Sequence, residues 1–237
     1  MPGIAVLGAQ WGDEGKGKIA HLVSQNADYC VRFNGGANAG HTVVVGNGVK
    51  NGANGMHGES AEFKFHLIPS GAINPHCIGI LGNGMVLEPF SLANEIKKLE
   101  ASLGENARIY ISQRAQLILP YHPVLENIEG SRSELDTTAK GIGPAYKDKV
   151  ARRGLRAADL LNPKLCSEKL TRNIERLKEL YPESPEIAKL DAPKLVDEIL
   201  AVSEIFSDKI VNTTALLHHA LEEGKEVVFE GAQGCLL

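Results

Sequence analysis

The stretch that most constrains this chain lies near its start. Gly3-Ile4-Ala5-Val6-Leu7 is a short apolar run that predicts a buried strand. Gly8-Ala9-Gln10-Trp11-Gly12-Asp13-Glu14-Gly15-Lys16-Gly17-Lys18 follows as a glycine-rich turn, and Ile19-Ala20-His21-Leu22-Val23 predicts the first turns of a helix. Strand, glycine-rich turn and helix N-terminus together make a cradle for phosphate, because backbone N–H groups converge there and the helix dipole favours anions. Gly12, Gly15 and Gly17 permit close approach of a ligand, while Lys16 and Lys18 supply positive charge.

The spacing from Gly12 to Gly17-Lys18 matches most of a P-loop. The next residue is Ile19, where that motif places a Ser or Thr for magnesium. Asp13 and Glu14 stand inside the loop, and carboxylates beside phosphate repel unless a cation or a proton transfer is involved. The expectation is therefore phosphate binding combined with an acid/base or metal-binding carboxylate. A plain glycine-rich turn with solvated charges would not need so many glycines.

The 237 residues carry a net charge of −4, which argues against a nucleic-acid surface. Hydrophobic content of 43% and charged content of 23% suit a globular protein. Cys30, Cys77, Cys166 and Cys235 are widely spaced, which predicts reduced thiols rather than a zinc site or disulfide framework. No signal-peptide pattern precedes the first strand and no apolar run reaches membrane-spanning length, so a cytoplasmic protein is expected.

Further strands are predicted at 29–34, 42–45, 63–67, 78–81, 109–111 and 226–230. Helices are predicted from Pro89 to about Leu103, over 165–180, 194–210 and 213–222. Residues 46–62 read as an extended loop and 130–149 as a long functional loop. This order predicts an α/β fold, P-loop-like, with a largely parallel central sheet flanked by helices. Residues 1–237 read as one nucleotide-binding domain, incomplete at its C-terminus, with a mainly helical subregion over 164–222.

Three more segments bear chemistry. Asn38-Ala39-Gly40-His41-Thr42 sets a histidine in a glycine-rich turn after a strand, a position suited to acid or base work. Thr137-Thr138-Ala139-Lys140-Gly141 offers hydroxyls, an amine and a glycine for a phosphate monoester. Arg152, Arg153 and Arg156 offer guanidinium forks for a similar group, although alone they would read as a solvated basic face. His218-His219 reads as a helix surface or core feature rather than a metal site, and His57, His66, His76 and His122 lack ligand spacing.

Together these segments closely resemble adenylosuccinate synthetase. The matching stretches are Q-W-G-D-E-G-K-G-K from Gln10, N-A-G-H-T from Asn38, H-L-I-P-S-G from His66, G-I-G-P-A-Y from Gly141, V-A-R-R-G-L-R from Val150 and F-E-G-A-Q-G from Phe229. The resemblance implies GTP- and magnesium-dependent joining of IMP to L-aspartate, the first committed step from IMP towards AMP. It implies that Asp13 is the base taking the proton from N1 of the purine. It implies that His41 is the acid stabilising the transferred phosphoryl group. The GTP phosphates would be held by Gly12, Asp13, Glu14, Gly15, Lys16, Gly17, Lys18, Gly40, His41 and Thr42. IMP would be held by Asp13, Glu14, Gly15, Lys16, Asn38, Ala39, Gly40, His41, Thr138 and Gln233. Asp13 and the Gly40 carbonyl would hold magnesium. Arg152 would reach the IMP phosphate of a neighbouring subunit, which implies a homodimer.

Three departures accompany the match. Ala139-Lys140 stand where many members have Gly-Arg, so the charge is kept and the fork is lost. Residues 46–62 are longer than the usual hairpin. The family continues past Leu237 for nearly as many residues again, with the aspartate loop, a further IMP arginine and the guanine-reading groups. This chain alone is therefore expected to be inactive. The alternatives are a nucleotide-binding fragment without catalysis, an unrelated P-loop NTPase disfavoured by Ile19, and a phage-type relative acting on a guanine nucleotide. Asp13 argues against the last.

Overall fold

The structure, a computed structural model, describes residues 3–38, 40–45, 61–104, 106–130 and 138–236. The long 46–62 loop therefore falls outside the described residues, except for Ala61 and Glu62. The strands are β1 (Ile4–Gly8), β2 (Tyr29–Gly35), β3 (His41–Val45), β4 (Ala61–Phe65), β5 (Ile78–Leu87), β6 (Ile109–Ser112), β7 (Gln116–Leu117), β8 (Ile210–Val211) and β9 (Val227–Gly234). The helices are α1 (Lys16–Val23), α2 (Pro89–Leu103), α3 (Tyr121–Gly130), α4 (Ile142–Val150), α5 (Pro163–Leu180), α6 (Pro185–Ala188), α7 (Ala192–Ser203) and α8 (Thr213–Glu222).

Among the described residues the main sheet has seven strands in the order β1-β9-β2-β5-β6-β8, with β7 beside β5. Its pairings are parallel throughout, and β3 and β4 form a separate antiparallel pair. Alternation along the strands sends side chains to two faces. Cys30 and Val228 pack towards Val23 of α1, whereas Val31, Ile80 and Val227 pack against Leu216, Leu217 and Leu221 of α8. The largest core joins β5, β6, α2, α5 and α7 through Leu81, Leu87, Ile96, Ile111, Leu170 and Ile199. The α/β class and the largely parallel sheet expected from the sequence are thus present.

Several boundaries differ. The first strand was expected to be buried, but β1 is an edge strand among the described residues. Ile4 is 45% exposed and Leu7 66% exposed, and Trp11, Ile19 and Leu22 are exposed nearby. β9, the last strand of the chain, lies between β1 and β2. The strand expected at 78–81 runs on to Leu87 because Met85 and Val86 are fully buried. The helix expected over 194–210 ends at Ser203, and Ile210–Val211 joins β6 as a strand.

The 130–149 stretch is not one loop. Its last part is α4, whose Ile142 and Ala145 pack against Val86 and Ile118. The polar composition hid an i, i+3 apolar pair. Helix α3 carried no expectation, since His122, Pro123 and Asn127 obscure its apolar spacing.

Candidate active site

Parallel strands β1, β2 and β9 end side by side at Gly8, Gly35 and Gly234. Ligands in such sheets bind beyond the carboxyl ends of the strands. Three of the sequence segments start from these ends, so the topology itself brings them together.

The first is the turn after β1. Helix α1 starts at Lys16, three residues earlier than its apolar pattern suggested, with Gly15 as N-cap at φ 78. Lys16 is buried, and its Nζ donates to the Gly12 carbonyl at 3.0 Å and to Glu14 Oε2 at 2.9 Å. The other Glu14 oxygen accepts from the Gln10 N–H at 2.7 Å. The Lys16 hydrogen bond is the main reason the Glu14 carboxyl is held down to about 2. Glu14 thus stands where an anion would, inside the loop. Asp13 is exposed beside it, and Lys18 is exposed on the first turn of α1.

The second segment is the end of β9. Gly234 lies so close to the turn that a Cβ there would fall 2.1 Å from the Gln10 carbonyl oxygen. The Cys235 N–H donates to the Gly8 carbonyl at 2.9 Å, and the Leu236 N–H to the Gln10 carbonyl at 3.1 Å. These contacts set exposed Gln233 next to the phosphate-loop candidates. The stretch expected to leave the sheet at Gly231 stays in it, because the Ala232 N–H donates to Asn34 Oδ1 at 3.1 Å.

The third is the turn after β2. Asn38 Oδ1 is buried and has no hydrogen-bond partner among the described residues. A buried acceptor left unpaired costs about 1–3 kcal/mol, so it is a position prepared for a donor. Gly40 lies against His66, whose Cε1 would be 3.1 Å from a Cβ at that position. His41 opens β3 opposite Phe65. Its side chain, and Ala39 as a whole, lie outside the described residues, and Thr42 is exposed.

The Thr138–Gly141 segment comes from elsewhere in the chain but reaches the same place. Lys140 Nζ donates to the Ala37 carbonyl at 2.8 Å. Ala139 has φ 51, a left-handed conformation natural to glycine. Thr138 is exposed at the start of this segment. Arg152 is not brought to this cluster. It follows the C-terminus of α4, about 13 Å along the helix from Gly141.

Sequence reading missed the scaffold beneath these loops. Arg32 and Glu230 are directly paired across β2 and β9, and both are fully buried. Arg32 Nη1 donates to the His66 carbonyl at 2.5 Å, and Nη2 to the Gly36 carbonyl at 3.2 Å. Glu95 accepts from the N–H groups of His66, Leu67 and Ile68 at 2.9, 3.0 and 3.1 Å. Glu230 accepts from the Ser70 N–H at 2.7 Å and from its hydroxyl at 2.9 Å. Tyr146 of α4 accepts from the Gly35 N–H at 3.0 Å and donates to the Gly84 carbonyl at 2.6 Å. The available signal was a charge inside an apolar strand run, at Arg32 and again at Glu230.

Among the described residues no group of three or more His, Cys, Asp or Glu side chains is placed to hold a metal. Asp13 is an exposed carboxylate in the turn after β1, and Gly40 is an exposed residue of the turn after β2. An oxygen donor of either kind suits magnesium, which keeps several waters and takes much of its coordination from substrate phosphates. No helix among the described residues is long and apolar enough to cross a membrane.

The adenylosuccinate synthetase sequence family matches residues 5–237. The chain is 43% identical over 240 residues to adenylosuccinate synthetase of Heliobacterium modesticaldum, covering 100% of this chain and 53% of that protein. It is 42% identical over 238 residues to the Thermus thermophilus protein of the same name, with the same coverage. The fully ligated adenylosuccinate synthetase of Plasmodium falciparum superposes with a TM-score of 0.84 at 33% identity, over 99% of this chain and 52% of that one. The cyanophage S-2L succinoaminodeoxyadenylate synthetase shares the fold at a TM-score of 0.59 and 19% identity, over 98% of this chain and 51% of that one. The chain thus spans about half the length of the curated relatives it matches, and it belongs to the adenylosuccinate synthetase family.

Proposed function

We propose that this chain supplies the phosphate-handling half of a GTP-dependent ligase that joins IMP to L-aspartate, giving adenylosuccinate, GDP and phosphate. The observation that carries this reading is the convergence of four glycine-rich stretches at the ends of β1, β2 and β9, one of which carries a buried Asn38 Oδ1 with no partner among the described residues. Gly12 to Lys18, with Gly40 to Thr42, would hold the GTP phosphates. Asp13 to Lys16, Asn38 to His41, Thr138 and Gln233 would hold IMP.

Asp13 takes the proton from purine N1, and the 6-oxygen then attacks the γ-phosphate. His41 stabilises charge on the transferred group, and the aspartate amine displaces phosphate at C6. Most of the rate in such transfers comes from positioning and charge neutralisation. Magnesium, held by Asp13 and the Gly40 carbonyl, would add to the neutralisation of phosphate charge.

Arg152 would contact the monophosphate bound by a second copy of the chain, so the working protein is a cytoplasmic homodimer. Residues 1–237 form a single α/β unit in this reading. The exposed face of β1 with Trp11, Ile19 and Leu22 is the one that the remaining half of the family's chain would cover. The aspartate-placing loop that the resemblance implies lies in the part of the relatives that this chain does not span. Losing such placement forfeits up to about 7–11 kcal/mol in favourable cases.

The test is calorimetric titration of folded residues 1–237 with IMP and with inosine. Binding of IMP and much weaker binding of inosine is expected, since the loops recognise phosphate. A folded chain that takes up neither would overturn the reading.

A further inference from the structure

Helix α4 ends in a turn that is usually built around glycine. Its C-cap is Ala151, and the next residue, Arg152, has φ 59. The Arg152 N–H donates to the Lys149 carbonyl at 3.1 Å, and the Arg153 N–H to the Asp148 carbonyl at 3.1 Å. These two bonds define a Schellman motif, in which the left-handed residue is normally glycine. An arginine there carries backbone strain that a glycine would not.

Asp148 meets the turn with both its backbone carbonyl and its carboxylate. The Asp148 carbonyl accepts from both Arg153 and Gly154. Its buried carboxylate accepts from Arg153 Nε at 2.5 Å and lies 3.2 Å from His122 Nε2. Nδ1 of the fully buried His122 accepts from the Leu119 N–H at 2.8 Å, which leaves Nε2 as the protonated nitrogen that donates to Asp148. Burial pushes the Asp148 carboxyl up, but the His122 and Arg153 hydrogen bonds outweigh it and hold it below the usual carboxylate range. Of two adjacent arginines, one is thus drawn inward by its side chain, and the other is exposed at the tip of the turn.

We propose that Asp148 is a positioning residue for Arg152. Anchored by His122 and by Arg153, it holds the turn in the strained form that presents the Arg152 guanidinium to a phosphate monoester on a second copy of the chain. The inference rests on the reading of Arg152 given above, and it adds the group that aims this arginine.

The test uses the 237-residue chain and a cycle of four variants, Arg152→Gly and Arg152→Ala, each with Asp148 and with Asp148→Ala. Glycine removes the strain whereas alanine keeps it and lacks the guanidinium. With Asp148 present, Arg152→Gly should melt about 2–4 °C above Arg152→Ala, the shift expected for strain of this kind in a chain of this size. With Asp148→Ala the difference should shrink markedly, because the turn keeps its backbone bonds but loses the Arg153 and His122 anchors that hold it in the strained form. An undiminished difference in the Asp148→Ala background, or none in the presence of Asp148, would overturn the proposal.

A separate arm measures the rise in melting temperature on adding IMP. Asp148→Ala should lose most of that rise, whereas a merely structural aspartate would lower the starting value and leave the rise intact. That second pattern would also overturn the proposal. No rise in the unaltered chain would instead contradict the nucleotide reading of the site, and the strain cycle would still decide the role of Asp148.

Discussion

Asp13→Asn, in a protein carrying both halves of the family's chain, is expected to lower turnover by about 10²–10⁴-fold, the range for loss of a general base. The structure explains why the adjacent carboxylate cannot substitute. Glu14 is engaged by Lys16 and by the Gln10 N–H, and it stays ionised down to about pH 2. Asp13, in the turn after β1, is exposed and has no such bond among the described residues. Asparagine preserves shape and cannot accept the N1 proton. The KM for IMP should change much less than kcat, because proton removal is felt in the transition state. The absorbance change on adenylosuccinate formation measures both, and turnover equal to the unaltered protein would end the assignment.

Arg32→Met is expected to destabilise the fold by about 3–5 kcal/mol, the range for breaking a buried charged network by removing one partner. Three effects act together. Glu230 loses its cross-strand cation, and Glu95 loses a nearby compensating charge. The carbonyls of His66 and Gly36 lose their donors. Methionine fills much of the volume, so the cost is electrostatic rather than a cavity. Arg32→Lys should fall between the two, because a point charge on a flexible stem does not bridge both carbonyls as a planar fork does. Urea unfolding reads the difference. A change within about 0.5 kcal/mol for Arg32→Met, the range of ordinary surface substitutions, would show that the network does not hold these loops.

The phosphate-loop candidates were legible because they depend on local chemistry. Glycines, lysines and an out-of-place carboxylate between an apolar strand and a helix carry their meaning in sequence. The parallel sheet was legible for a similar reason, through apolar runs spaced by helical periods. What pairs with what was not legible. The apolar run Ile4–Leu7 reads as buried, yet among the described residues it is an edge strand with Ile4 and Leu7 exposed. Its position next to β9 joins residues more than two hundred apart, a pairing no local signal encodes.

Arg32 and Glu230 illustrate the same limit. Each looks like a lone charge until the register places them side by side. Glu95, on the apolar stripe of α2, reads as a surface residue of an amphipathic helix. Only the fold brings three backbone N–H groups to it. Residue type and charge alone do not separate Arg152 from Arg153; only the family resemblance singles out Arg152. The turn after α4 separates them, giving one an inward ion pair and the other a strained, exposed position.

The most direct measurement mixes folded residues 1–237 with the separately expressed remaining half of a relative such as the Heliobacterium modesticaldum protein. Adenylosuccinate formation is then followed with IMP, GTP, L-aspartate and magnesium. This account predicts no product from residues 1–237 alone, and turnover on adding the second half that requires both IMP and GTP. Equal turnover without the second half, or none from a demonstrated complex of the two, would contradict it.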